Sequence, residues 1–319
     1  MRSGRRFAPR FWLSAIGLLA FAAAPAGDDF GIAAGADWQP VADEVLIDSR
    51  PLADCRQAAL PAARCLPAAD FTGPHRRLPS ERDILWLLGT AGLDGSEAVL
   101  VVGQDATARD FLAGLLHLAG QRRVRILQAP VARMLAGRSD AAPGQPRGMV
   151  RAAVFAAPMR AGRLVLKHEL AREIEIASAV LLDGRSELEY WGESVRGARG
   201  GHLPGAILLP ATALASAGAR PALPANRAIA YAHDAYEGIA YFTRLAAGQG
   251  LDVRVYPGGW AEWAADGSLS ADAATYPERR AEAPAPPAGA YTNVVALAAA
   301  LAVLAAFAGG WLFSRKRVA

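Results

Sequence analysis

Short apolar runs alternate with amphipathic stretches along most of the chain. Glu44-Val-Leu-Ile-Asp48 is a strand ending in an acid, Ala98-Val-Leu-Val-Val102 an unbroken apolar strand, and Val124-Arg-Ile-Leu127 another. Between them, Arg82 to Gly92 places Ile84, Leu85, Leu87 and Leu88 inward as a helix, and Thr107 to Ala119 forms a second helix. Strand, helix, strand, helix, strand, with strands apolar on both faces, predicts a parallel sheet covered on both sides. The same order returns in Ala179-Val-Leu-Leu-Asp183, Ala228-Ile-Ala-Tyr231, a helix over Gly238 to Gly248, and Val253-Arg-Val-Tyr256. The polar, Gly- and Pro-containing stretch between the halves reads as a linker. The expected fold class is therefore α/β, with one domain over residues 27–136, a linker over 137–150 and a second domain over 151–274.

The two ends follow other patterns. Residues 1–26 hold a basic start, an apolar run and Ala24-Pro25-Ala26, the layout of a secretory signal peptide cleaved after Ala26. An uncleaved N-terminal membrane helix is the alternative. Residues 275–290 are rich in Pro and Ala and read as an extended stalk. Residues 291–314 contain the uncharged run Val294 to Phe313, 20 residues, long enough to cross a bilayer. The tail, residues 315–319, begins Arg315-Lys316-Arg317, and the positive-inside rule keeps it in the cytoplasm. The expected location is the cytoplasmic (inner) membrane, single-pass, with the folded domains on the periplasmic side and the membrane as one partner.

Charge sharpens this picture. The chain has 34 Lys+Arg against 30 Asp+Glu and a net charge of +4. Arg2, Arg5, Arg6 and Arg10 at one end and Arg315, Lys316 and Arg317 at the other leave the body slightly acidic, at about −3. A basic nucleic-acid groove is therefore excluded, and with 53% hydrophobic residues so is disorder of the bulk. Two Cys cannot build a four-cysteine zinc site.

Three pieces of the second half carry a resemblance. They are Leu182-Asp183-Gly184-Arg185 with Glu189-Tyr190-Trp191-Gly192, then Gly201-His202-Leu203-Pro204-Gly205-Ala206, then Tyr256-Pro257-Gly258-Gly259-Trp260-Ala261-Glu262-Trp263. In this order and spacing they resemble the rhodanese (thiosulfate sulfurtransferase) family. Physically, Asp183 and Arg185 can pair at a strand end, Pro204-Gly205 can turn the chain into the next strand, and Gly258-Gly259 allows a close bend. Trp260 and Trp263 share one helical face and suit packing on the sheet. His202 lies in the middle piece. In the first half, Ile47-Asp48-Ser49-Arg50 repeats the first piece, and Ala63-Arg64-Cys65-Leu66-Pro67-Ala68-Ala69 resembles a decayed middle piece. The resemblance implies two tandem rhodanese-like domains, each a parallel sheet flanked by helices, the second better preserved.

It also implies a persulfide-carrying cysteine at the end of the central strand, cradled by a helix N-terminus that favours a thiolate. Family spacing puts that position at Ala232, which has no nucleophile; in the first half it falls on Gly103 or Gln104. The loop Ala232, His233, Asp234, Ala235, Tyr236, Glu237 carries two acids where an anion would sit, which opposes anion binding. Cys55 and Cys65, sent to an oxidising compartment, are expected to form a disulfide, with a redox-active pair or unpaired thiols as alternatives. His202, His233, Asp234 and Glu237 could surround one mouth, but their spacing fits no metal motif, so no metal and no cofactor is expected. The functional expectation is a non-catalytic binding or scaffolding protein whose old active-site mouth takes a protein or small-molecule ligand. The alternative is a sulfurtransferase working through Cys55/Cys65 or a partner's cysteine.

Overall fold

The computed structural model describes residues 30–33, 43–215 and 228–273. The expected signal peptide, stalk, membrane span and tail lie outside the described residues, and among those described no helix is long and apolar enough to cross a membrane.

The first half contains β1 (Phe30–Ala33), β2 (Glu44–Asp48), α1 (Leu52–Gln57), β3 (Arg64–Cys65), α2 (Glu81–Thr90), β4 (Ala98–Val102), α3 (Ala106–Ala119), β5 (Arg123–Leu127), α4 (Val131–Leu135) and β6 (Gln145–Pro146). Its strands form one parallel sheet in the order β1-β5-β4-β2-β3-β6. The second half contains α5 (Lys167–Glu175), β7 (Val180–Asp183), α6 (Glu187–Tyr190), β8 (Ile207–Leu208), β9 (Ala228–Tyr231), α7 (Ala235–Thr243), β10 (Val253–Val255) and α8 (Gly259–Ala265). Its parallel sheet runs β10-β9-β7-β8.

Unbroken apolar strands feed two layers each. In β4, Val99 and Val101 face the core that the halves share, and Leu100 and Val102 face an outer cluster with Leu60 and Val131. In β9, Ala228 and Ala230 face the shared core, and Ile229 and Tyr231 face an outer cluster with Trp260 and Trp263. The shared layer is closed by α3 and α7. They approach so closely that a Cβ on Gly114 would lie 2.7 Å from the Ile239 side chain.

Three expectations need correction. The stretch 137–150 is not a free linker, because β6 pairs with β3 and Ala142 bridges Ala59 at the edge of the first sheet. The helix expected from Gly238 begins earlier, at Ala235, because Asp234 caps it, and it ends in a π-helical turn, Arg244–Gly248. The third concerns the decayed middle piece. The sequence holds Leu-Pro-Ala-Ala twice, at 60–63 and at 66–69, and strand pairing selects the first copy. Asp48 pairs with Cys65 as Asp183 pairs with Leu208, and the bridge Ala59 to Ala142 matches the bridge His202 to Asp272. Ala62 takes φ +60°, as Gly205 takes φ +70°. Ala59 therefore stands where His202 does, and Ala62 where Gly205 does.

In this register Cys55 on α1 corresponds to Tyr190 on α6. Tyr190 ties its helix to the sheet by donating its hydroxyl to the Ala206 carbonyl at 2.6 Å. Cys55 makes the equivalent tie covalently, through a disulfide to Cys65, and both residues are fully buried. Cys55 thus sits on a helix and Cys65 on a strand.

Candidate functional site

The strand-to-helix turn after β9 is built from the backbone outward. Trp260 and Ala261 donate their N–H groups to the carbonyls of Ala232 (2.9 Å) and His233 (2.8 Å), so α8 is turned directly onto the loop. Only glycine permits this at 259: its φ is +59°, and a Cβ would sit 2.7 Å from the His233 oxygen. Ala232 is buried at the end of β9, immediately before the turn into α7. The first-half counterpart is Gly103, which settles the choice between Gly103 and Gln104. The Ser49 hydroxyl fills the space that a side chain on Gly103 would need, and Asp105 caps α3 as Asp234 caps α7.

The pieces that carry the resemblance hold this turn in place. Arg185 grips Asp183 with Nε at 3.0 Å and Nη2 at 2.6 Å, and also donates to the Gly201 carbonyl at 2.8 Å. Its guanidinium lies 4.8 Å from the Trp260 ring centre. Tyr231 donates to Asp183 Oδ2, the oxygen that Nη2 also grips, at 2.5 Å, and burial pushes its phenol well above the usual range. Pro204-Gly205 makes the turn into β8, with the Gly205 N–H on Asp272. Gly258 precedes α8, and Trp260 and Trp263 are both buried, their indole N–H groups donating to the Arg199 and Ser270 carbonyls.

His202 does not join the mouth. It is buried, stacked on Tyr190 at 3.6 Å, and donates Nδ1–H to the Tyr190 carbonyl at 2.9 Å. Its role is to pack the middle piece. Among the described residues no group of His, Cys, Asp and Glu is arranged to hold a metal ion.

The mouth itself is not the bare acidic loop that the sequence suggested. Asp234 accepts the Glu237 N–H through Oδ1 (3.0 Å) and so caps α7. Arg196 clasps Glu237 with two bonds, 2.7 and 2.8 Å, and reaches Glu189 with its Nε at 2.6 Å. Arg76, from the first half, lies 3.5 Å from Glu237 and 3.9 Å from Asp234, with its guanidinium 4.9 Å over the Tyr236 ring. Two arginines therefore face three carboxylates, Asp234, Glu237 and Glu189. Burial raises the pKa of Asp234, whereas for Glu237 burial is outweighed by the Arg196 hydrogen bonds and charge, which hold it low. Burial, helped by the Arg196 charge, lowers His233, whose Nδ1 has no partner among the described residues. Burial also pushes Tyr236 up to about 12. Beside the turn opens a cleft of about 1030 Å³ lined by Arg76, Lys167, Asp234, Tyr256, Glu262 and Asp266.

Sequence reasoning missed Arg76 and Arg196. Each lies far along the chain from Glu237, and an arginine in a polar loop reads as solvated surface. The only signal was the surplus of acid in the loop, which asks for a counter-charge.

Comparison with known proteins agrees with this geometry. Residues 166–266 match the family model of the rhodanese-like domain. A probable thiosulfate sulfurtransferase is similar at 25% identity and TM-score 0.56, over 74% of this chain and 100% of that one. Wild-type EanB is similar in fold at 19% identity and TM-score 0.60, as is an EanB variant in complex with ergothioneine at TM-score 0.61. The chain spans about two thirds of EanB, 65% and 66% of those two structures. Comparison with curated proteins found no match. With the three pieces in register around the β9–α7 turn and the family model covering them, residues 166–266 are a rhodanese-like domain.

Proposed function

We propose that this chain is an exported, membrane-anchored tandem rhodanese-like protein that no longer carries sulfur and serves as a binding or scaffolding module. One observation carries the non-catalytic reading: the sequence has two cysteines, both buried in one disulfide, while alanine stands at the turn after β9. A persulfide needs a thiolate, and neither sulfur of a closed, buried disulfide provides one. The anchor rests on the Val294 to Phe313 run and the cations after it, and the exported location on the basic and apolar N-terminus.

The test is a thiosulfate:cyanide assay on the full-length protein, where thiocyanate formation at the background rate is expected. Turnover that disappears in Cys65→Ser would overturn the reading in favour of sulfur transfer through Cys55/Cys65. Protease protection in sealed membrane vesicles checks the topology: the domains should be digested only from the periplasmic side.

A further inference from the structure

The binding role proposed above leaves the ligand open, and the chemistry of the mouth narrows it. We infer that the mouth between Asp234, Tyr236 and Glu237 is a seat for a guanidinium group, that of an arginine in a peptide segment of a protein partner, and that Arg76 occupies this seat in the free protein. The inference rests on the binding reading of this same loop.

Charge supports it first. Arg196 turns Nε to Glu189 and both Nη1 and Nη2 to Glu237. With Arg76 withdrawn, Asp234, Glu237 and Glu189 face one arginine, so the mouth is short of positive charge. Asp234 is 7% exposed, and its second oxygen, Oδ2, has no hydrogen bond among the described residues, only the 3.9 Å approach of Arg76. Oδ2 is the oxygen that Arg76 approaches at ion-pair rather than hydrogen-bond distance, which leaves it open to a closer donor. The half-buried Tyr236 ring, backed by Phe111 at 4.7 Å, supplies the flat face that a guanidinium stacks on.

Arg76 fits this seat poorly. Its contacts at 3.5 and 3.9 Å are longer than the ~2.7–2.9 Å of a charge-assisted hydrogen bond. Its side chain is 53% exposed, and it follows His75 in a pair of left-handed backbone conformations, φ +55° and +53°. An arginine free to settle squarely on Asp234 and Tyr236 would displace it. Besides Arg76, the cleft is lined by His75, Arg77, Lys167 and His168; Lys167 is paired to Asp266 at 2.9 Å, and Asp234, Glu262 and Asp266 bring three acids to the same cleft. The cleft of about 1030 Å³ is at the upper end of the ~300–1,000 Å³ typical of ligand pockets, which leaves room for residues flanking an arginine. This favours a peptide segment over the free amino acid.

The test is titration of the full-length protein with fluorescently labelled acetyl-Gly-Arg-Gly-amide, read by anisotropy. Citrulline replaces arginine in a control peptide, and free L-arginine and thiosulfate serve as competitors. Arg76→Ala removes the internal occupant and should tighten binding about three- to tenfold, because the seat is then always open. Asp234→Asn, in the Arg76→Ala background, keeps an efficient helix cap and should weaken binding at least tenfold. Equal binding of the citrulline peptide, or no effect of Arg76→Ala, would overturn the guanidinium seat. Free L-arginine competing as well as unlabelled peptide would overturn the peptide partner, and competition by thiosulfate would overturn the cationic preference. None of these results touches the non-catalytic reading, which stands or falls on the cyanide assay alone.

Discussion

Removing Arg185 tests whether the rhodanese-like domain is held by its buried ion pair. Asp183 is fully buried, and Arg185 is 4% exposed. Truncation in Arg185→Ala leaves a carboxylate in the core with the Tyr231 hydroxyl and the residue 185 N–H (2.9 Å) as its remaining donors. Breaking a buried pair by deleting one partner costs about 3–5 kcal/mol. The two surviving donors pull the estimate down, while the lost bond to the Gly201 carbonyl and the lost stacking on Trp260 push it up. The net expectation is about 4 kcal/mol. The double variant Asp183→Asn/Arg185→Leu removes both charges together and should recover at least half of that loss, since the stranded charge is then gone. Urea unfolding followed by tryptophan fluorescence reads this directly, as Trp260 packs against Arg185. A cost below about 1 kcal/mol for Arg185→Ala would refute the reasoning. So would a double variant no more stable than the single, because it would place the loss in packing rather than in the stranded carboxylate.

Three further outcomes follow. Replacing both cysteines by Ser should cost about 3 kcal/mol, the loop-entropy value for so short a separation, and should shift the urea midpoint by the same amount as adding reductant to the wild type. His117, stacked on Phe30 at 4.1 Å, is held down to about 3 by burial and by the Arg160 and Arg163 charges. Its folded pKa lies below the unfolded value of 6.5, so its contribution is fully present above that pH and falls away toward pH 3. About 2 kcal/mol should be lost by pH 5, and His117→Phe should remove that part of the slope between pH 7 and pH 5. Ala232→Cys should give a thiol that reacts with alkylating probes yet turns over thiosulfate poorly, and adding Glu237→Ala should raise thiocyanate formation at least tenfold by freeing Arg196 for the anion. Brisk turnover in the single variant would show that the carboxylates are no obstacle.

The elements legible in the sequence were those whose pattern is local. Ala98 to Val102 and Ala228 to Tyr231 are unbroken apolar runs bounded by polar turns, and both are strands over the residues expected. Asp183 and Arg185 are two residues apart, so their pairing could be read from the chain alone. What could not be read depends on contacts across long separations. Arg76 meets Glu237 across 161 residues, and no local pattern distinguishes it from a solvated arginine. Likewise the choice between two Leu-Pro-Ala-Ala copies is made by β3 pairing with β2, which periodicity does not encode. α5 escaped because seven of its nine residues are polar or Ala, and only Leu170 is buried.

The two halves solve one folding problem with different chemistry, and the differences sort by what each position must do. Where the strand-to-helix turn needs a cap, both halves keep an aspartate, Asp105 and Asp234. Where the strand before the short helix needs its acid neutralised, β2 and β7 both keep an arginine two residues on, Arg50 and Arg185. Where the short helix must be tied to the sheet, one half uses the Tyr190 hydroxyl and the other the Cys55–Cys65 bond. At the turn after the central strand neither half carries a thiol: Gly103 lies under the Ser49 hydroxyl and Ala232 under the α8 backbone. The groups that build the turn are thus complete in both halves without a thiol there. Under the proposed binding role, the Asp234, Tyr236 and Glu237 surface, held by Arg196 and covered by Arg76, is the part of that turn with chemistry left to offer.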